Sequence, residues 1–159
     1  MLGSYWPHLL LMAALIFCSS FFSASETSFA ASNKLRIKRS ALEGDKRAIL
    51  ADRINEDFPS FLATILIGNN LANTAFSAVA TVVAAALFPN YAELIASVGA
   101  TLLILVFAEI LPKIIAHGRP DTLVKLTVRP VRVFMVLFSP VTAAVTAFVN
   151  WLSPLWTPK

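Results

Sequence analysis

The sequence predicts an all-α integral membrane protein: three transmembrane helices, with amphipathic helices and a juxtamembrane belt on the cytoplasmic face. Three observations carry this. Of 159 residues, 57% are hydrophobic and only 14% charged, and the apolar runs exceed the roughly 18–20 residues that span a bilayer. Backbone polar groups in lipid must be satisfied within their own segment, and the short alternating strands of a barrel are absent, so the spans are helices. The basic residues are also segregated. Of thirteen Lys and Arg, seven lie between Lys34 and Arg53, six lie from Lys113 onward, and none lies in the first 33 residues or between Asn55 and Pro112. By the positive-inside rule the 34–53 segment and everything after Lys113 face the cytoplasm, with Asn90 outside.

The first span is expected over about residues 6–31, with Trp6 at the outer interface. Its first half is plain hydrocarbon, but its second half reads Cys18-Ser19-Ser20-Phe21-Phe22-Ser23-Ala24-Ser25-Glu26-Thr27-Ser28. At helical spacing Ser19, Ser20, Ser23, Glu26 and Thr27 share roughly a third of the circumference. Hydroxyls alone suit close packing between helices; with Glu26 on the same stripe they point to a polar cavity. Cys18 is the sole cysteine, a small packing residue in an apolar helix, and no disulfide framework exists.

Residues 33–57 turn hydrophilic. Leu35, Leu42, Ile49, Leu50 and Ile54 recur at helical spacing and Gly44-Asp45 interrupts them, which predicts two short amphipathic helices on the cytoplasmic face. Acids are interspersed among the bases (Glu43, Asp45, Asp52), so nucleic acid is not an expected partner. The N-terminus carries no positive n-region, and no cleaved signal peptide is expected.

The second span is expected over about residues 59–88. Asn69, Asn70, Asn73, Ser77 and Thr81 again occupy one third of the circumference. Each buried amide must find partners in a medium that offers none. Gly68, just before them, exposes backbone and offers a place for the helix to unwind and free a carbonyl. The remaining alanines, from Ala72 to Ala86, and Ser97-Val98-Gly99-Ala100 in the next span let helix backbones approach, and predict a subunit seam.

The third span, about residues 93–117, contains Ala108-Glu109-Ile110-Leu111-Pro112-Lys113. A carboxylate at membrane depth costs roughly 2.5–3.5 kcal/mol on insertion scales unless it faces a partner or an aqueous cavity. Pro112 lacks an N–H and crowds the carbonyl of Ala108, so the helix should kink or open beside Glu109. An acid beside loosened backbone suits a cation; a Glu109–Lys113 pair that only anchors the helix end explains the same residues. Residues 120–156 are ambiguous by hydropathy. Val133–Leu152 is apolar enough to span, yet a belt of interfacial helices bent at Pro130 and Pro140 fits the flanking Arg129, Arg132, Trp151 and Trp156 equally well.

Three segments together resemble the membrane domain shared by bacterial CorC and animal CNNM proteins: Phe22-Ser23-Ala24-Ser25-Glu26-Thr27, Ile67-Gly68-Asn69-Asn70-Leu71-Ala72-Asn73, and Glu109-Ile110-Leu111-Pro112-Lys113. Ser28 and Ala108 stand where the family more often has another small residue and glycine. The resemblance implies magnesium transport, generally sodium-coupled efflux. It also implies a homodimer in the bacterial inner (plasma) membrane, belt helices at 120–156 with a cytoplasmic C-terminus, and a cytoplasmic CBS-pair domain in a longer chain, absent from these residues. Carried over, the ion site would take Ser19 and Ser23, Asn69, Asn70 and Asn73, a carbonyl near Gly68, and Glu109. Ser20, Glu26, Pro112 and Lys113 would support it. Mg2+ is hard and seeks about six oxygens, whereas zinc and copper seek His and Cys; Na+ is an expected coupling ion. The alternative is a membrane anchor or sensor whose polar residues only join helices. Convergence of the three stripes on one place separates the two. No Gly-x-Ser-x-Gly or His-Glu-x-x-His motif exists, and no enzymatic activity is expected.

Overall fold

In the computed structural model, which describes residues 2–156, all regular structure is helical. After a 3₁₀ turn at Leu2–Ser4, α1 (Trp6–Ala31) opens with Pro7 in its first turn, where a missing N–H costs nothing. Its second half is its buried half: Ser19, Phe22, Ser23, Ser25, Thr27, Ser28 and Phe29 are all covered. Two of these hydroxyls satisfy themselves, Ser25 donating to the Phe21 carbonyl at 2.7 Å and Ser28 to that of Ala24 at 2.5 Å. The others need partners on neighbouring helices.

The hydrophilic stretch forms α2 (Lys34–Leu42) and α3 (Lys46–Glu56). Each has a side-chain N-cap: Asn33 accepts from the Arg36 amide at 3.1 Å, and Asp45 from Arg47 at 3.0 Å. Gly44, at φ +94, turns the chain between them in the left-handed region that glycine adopts at least cost.

The second span, α4 (Phe58–Leu87), is 30 residues long and unbroken, so it does not unwind at Gly68. The third consists of α5 (Ala92–Leu103), a π-helical segment (Ile104–Ile110) and α6 (Leu111–Gly118). Three helices, Trp6–Ala31, Phe58–Leu87 and Ala92–Gly118, are long and apolar enough to cross a membrane. Part of the small-residue run expected at a subunit seam is covered inside the chain: Ala72, Ala80 and Ala84 of α4 and Ala100 of α5 are buried, Ala80 and Ala100 in one cluster with Phe76 against α1.

α7 (Pro120–Leu137) and α8 (Ser139–Leu152) meet at 66°. The helix is not broken at Pro130. α7 runs through it, with Leu126, Arg129 and Pro130 all exposed, so the carbonyl that Pro130 leaves without a donor is on the outer side of the helix. The break falls at Phe138, and Pro140 takes up the first turn of α8, where proline is tolerated. Val124, Val128, Val131 and Met135 make the buried stripe of α7. They join Phe22, Phe29, Ile54, Phe61 and Ile65 in the main core, at the Lys/Arg-rich end of the bundle. Two ion pairs fasten the start of α7 there, Arg36–Asp121 at 2.9 Å and Lys125–Asp45 at 2.8 Å. α7 therefore packs beside α3 and the second half of α1 and is tied to α2 by the Arg36–Asp121 pair, and α7 with α8 would also be long and apolar enough to form one bent span. Lys159, the last basic residue, lies outside the described residues.

Candidate cation site between three helices

α1 packs against α4, α6 and the π segment, and at Gly68 the Phe22 ring of α1 lies directly against the backbone of α4. A Cβ on Gly68 would lie 2.7 Å from Cε1 and Cε2 of Phe22 and closer still to Cζ. The glycine thus admits an aromatic ring. Its role is interhelical contact in a helix that stays whole. One residue later, that contact sets Asn69 opposite Ser19.

The polar groups are then connected across all three spans. Ser19 Oγ lies 2.6 Å from Asn69 Oδ1 and 2.6 Å from Asn73 Oδ1. The Asn69 amide donates through Nδ2 to Glu109 Oε1 at 3.0 Å, and Glu109 Oε2 pairs with Lys113 at 3.1 Å. A carboxylate only accepts, so Glu109 fixes which end of the Asn69 amide faces it and turns the amide oxygen toward Ser19. Ser19 has one proton and two amide oxygens within reach. Ser23, one turn further along the same face of α1, is fully buried with no hydrogen-bond partner for Oγ among the described residues. Such a group costs the desolvation of a hydroxyl unless something else takes it up.

Pro112 shapes the third helix as its chemistry requires, one residue out of the expected register. The Leu111 amide donates to the Val106 carbonyl, five residues back. In that ladder the next donor would be residue 112, and proline has none, so the carbonyl of Phe107 loses its ladder donor. Ser20 reaches across from α1 and donates to the Phe107 carbonyl at 2.6 Å.

Ser19, Asn69, Asn73 and Glu109 are thus brought together, with Ser23 beside them and Lys113 on the far side of the carboxylate. Two other expected residues stand apart. Asn70 is exposed, turned about 100° from Asn69 by helix geometry. Glu26 is half-buried and makes no hydrogen bond or ion pair among the described residues. No three His, Cys, Asp or Glu side chains gather among the described residues. The donors at the cluster are hydroxyl and amide oxygens with one carboxylate, suited to a hard cation rather than to zinc or copper.

Comparison with known proteins places the chain in a family. Residues 10–157 match the family described as the CNNM, or Cyclin M, transmembrane N-terminal domain. The chain belongs to the CNNM family. Among curated relatives, this CNNM domain is 39% identical over 109 residues to a UPF0053 protein of Haemophilus influenzae, covering 67% of the chain and 26% of that relative. It is 36% identical over 103 residues to the UPF0053 inner membrane protein YfjD of Escherichia coli, covering 65% of the chain and 24% of that relative. A chloroplastic DUF21 domain-containing protein of Arabidopsis thaliana is 31% identical over 137 residues, 86% of the chain and 21% of that relative. The matched part of the CNNM domain spans about a quarter of these relatives' length.

Two participants escaped sequence reasoning. The Phe107 carbonyl carries no side-chain signal, and only the register of the ladder reveals it. Phe22, a site neighbour through Gly68, reads in sequence as one more apolar residue, although its place in the same heptad as Ser19 and Ser23 was a usable sign.

Proposed function

We propose that this CNNM domain carries Mg2+ across the membrane through the Ser19–Asn69–Asn73–Glu109 cluster, as sodium-coupled efflux. The observation that carries the reading is the excess of acceptors at Ser19: two amide oxygens at 2.6 Å face one hydroxyl proton. A divalent cation resolves the excess, because it lets every oxygen act as a ligand. Without the cation, Asn73 resolves it by turning its amide about χ2 so that Nδ2 donates to Ser19, a rotation that breaks no other hydrogen bond of that side chain among the described residues. The site then has a hydrogen-bonded resting form and an oxygen-lined loaded form separated by one amide rotation. Neutral oxygens with a single carboxylate bind a partly dehydrated ion without trapping it, as transport requires. Lys113 on Oε2 of Glu109 supplies positive charge to the carboxylate when the ion has left. Ser23 adds a buried oxygen whose only remaining use is as a ligand or a water partner.

In this reading the Lys/Arg-rich end is cytoplasmic, the membrane is the bacterial inner membrane, and two copies pair as a homodimer. A CBS-pair domain follows in the cytoplasm of the full-length chain. The protein is a carrier and not an enzyme. A membrane anchor whose polar groups only join helices would use the same hydrogen bonds, and Mg2+ flux separates the two. In proteoliposomes with magnesium and sodium gradients set independently, a carrier gives Mg2+ flux that depends on the opposing sodium gradient and falls in Glu109→Gln. An anchor gives none.

A further inference from the structure

Proline at 112 removes a donor whichever ladder the helix adopts, and so deprives one particular carbonyl. In α-helical register it would be the carbonyl of Ala108, a residue with no exposed surface, where an unmet acceptor is costly. In the five-residue register that the chain adopts, it is the carbonyl of Phe107, and Ser20 meets it at 2.6 Å. The carbonyl that Pro112 deprives in the observed register therefore has an outside donor, and Ser20 is that donor. We infer that Ser20 is a positioning residue that locks the third span into its π register and so aims Glu109 at Asn69.

The consequence for the site is geometric. One residue of register is about 100° of helix rotation. Exchanging the π segment for α-helix would turn the chain on one side of Ile104–Ile110 by that much against the other. Ala100 of α5, Ala108, and Pro112 and Ala116 of α6 are all buried in the present register, and Glu109 reaches Asn69 at 3.0 Å. Rotation would break that alignment. Ser20 does not touch the cation cluster. It acts through the backbone of the third helix, while Ser19, its neighbour, acts by direct contact. The inference rests on the reading of Glu109 as a Mg2+ ligand.

The test is a double-mutant cycle in the full chain reconstituted in lipid nanodiscs, read by Mg2+-dependent thermal protection and by amide hydrogen exchange over residues 104–113. Ser20→Ala should weaken apparent Mg2+ affinity about tenfold and raise exchange in that segment, while Ser20→Thr, which keeps a hydroxyl, should stay near native. Pro112→Ala restores an N–H and removes the stranded carbonyl, so in that background Ser20→Ala should change Mg2+ affinity by less than about twofold. Should Ser20→Ala fail to fold, Ser20→Cys, a weak donor of similar size, carries the same comparison. Equal weakening by Ser20→Ala in both backgrounds overturns the inference, because the role then does not run through the carbonyl. So does a native-like Ser20→Ala in a protein where Glu109→Gln abolishes binding. If Glu109→Gln itself leaves binding intact, the failure belongs to the cation site and not to Ser20.

Discussion

Glu109→Gln isolates charge at the proposed site. The variant keeps the shape of the side chain, and its amide oxygen still accepts from Asn69, now 3.0 Å from Oε1. The Lys113 pair is lost as an ion pair. Its side chains are 42% and 25% exposed, and an i,i+4 pair of that kind contributes about 0.3–0.5 kcal/mol. Folding without magnesium should therefore hardly change. For the cation the loss is larger. A divalent ion and a carboxylate about 4 Å apart attract by roughly 8 kcal/mol at an effective dielectric of about 20. Desolvation of both offsets most of it, and a tenfold loss of affinity, about 1.4 kcal/mol, is the smallest residue to expect.

Thermal unfolding reads this directly, since a ligand that binds only the folded state stabilises it. At magnesium about 100-fold above the dissociation constant the protection is about 2.7 kcal/mol; after a tenfold weakening, the same magnesium gives about 1.4 kcal/mol. For a chain of this size about 1 kcal/mol moves Tm by roughly 2–4 °C. The magnesium-induced rise in Tm should thus fall to about half or less in Glu109→Gln, with the magnesium-free Tm near native. Full protection together with native flux would refute the shared site and leave Glu109 as a partner for Lys113 and Asn69 alone.

Other consequences follow from the same geometry. Asn73→Asp removes the rotatable donor, so Mg2+ should bind about tenfold tighter while flux falls because release slows, checked by paired binding and liposome assays. Gly68→Ala forces a methyl into the Phe22 ring, which cannot swing away because Phe134 packs 5.0 Å from it. It should cost about 1–3 kcal/mol of stability, recovered in part by Phe22→Leu, as read by thermal unfolding. The Lys125 ammonium beside Asp45, with the Arg47 and Ala48 amides, holds the Asp45 carboxyl below its ordinary value of 3.8. That tie is fully present above the ordinary value and is lost as pH falls through the lower folded one. Hydrogen exchange at the start of α7 should therefore rise on acidification below about pH 4, and Lys125→Met should abolish that dependence.

Much of the fold was legible because membrane chemistry leaves few choices. Apolar length gave the three spans to within a residue or two, apolar spacing interrupted at Gly44-Asp45 gave α2 and α3, and the polar stripes identified three of the helix faces that meet. The limits were equally physical. Asn69 and Asn70 both fell within a stripe about a third of the circumference wide, yet only one can face Ser19, because adjacent helical residues diverge by about 100°. The residue that does is chosen by where Phe22 meets Gly68, a tertiary contact. Gly68 itself admits two meanings, a break in the helix or a notch for a neighbour. Only the ring across from it decides.

Pro112 poses the same problem in sharper form. A proline states which N–H is missing, but which carbonyl goes without depends on the ladder, and the ladder depends on what else can donate. In isolation α register would be expected, with Ala108 stranded. Ser20, 92 positions earlier by number, lies against the Phe107 carbonyl and supplies the donor that the wider register lacks there. The neighbouring hydroxyls Ser19 and Ser20 thus divide their work: one contacts the amides that face the proposed ion, the other meets the backbone defect that turns the carboxylate toward it. A motif that reads in sequence as a wet stripe for a cavity is, in three dimensions, half ligand and half scaffold. The two halves should separate experimentally, since a ligand's loss is felt whatever residue stands at 112, and a scaffold's loss is felt only while proline stands there.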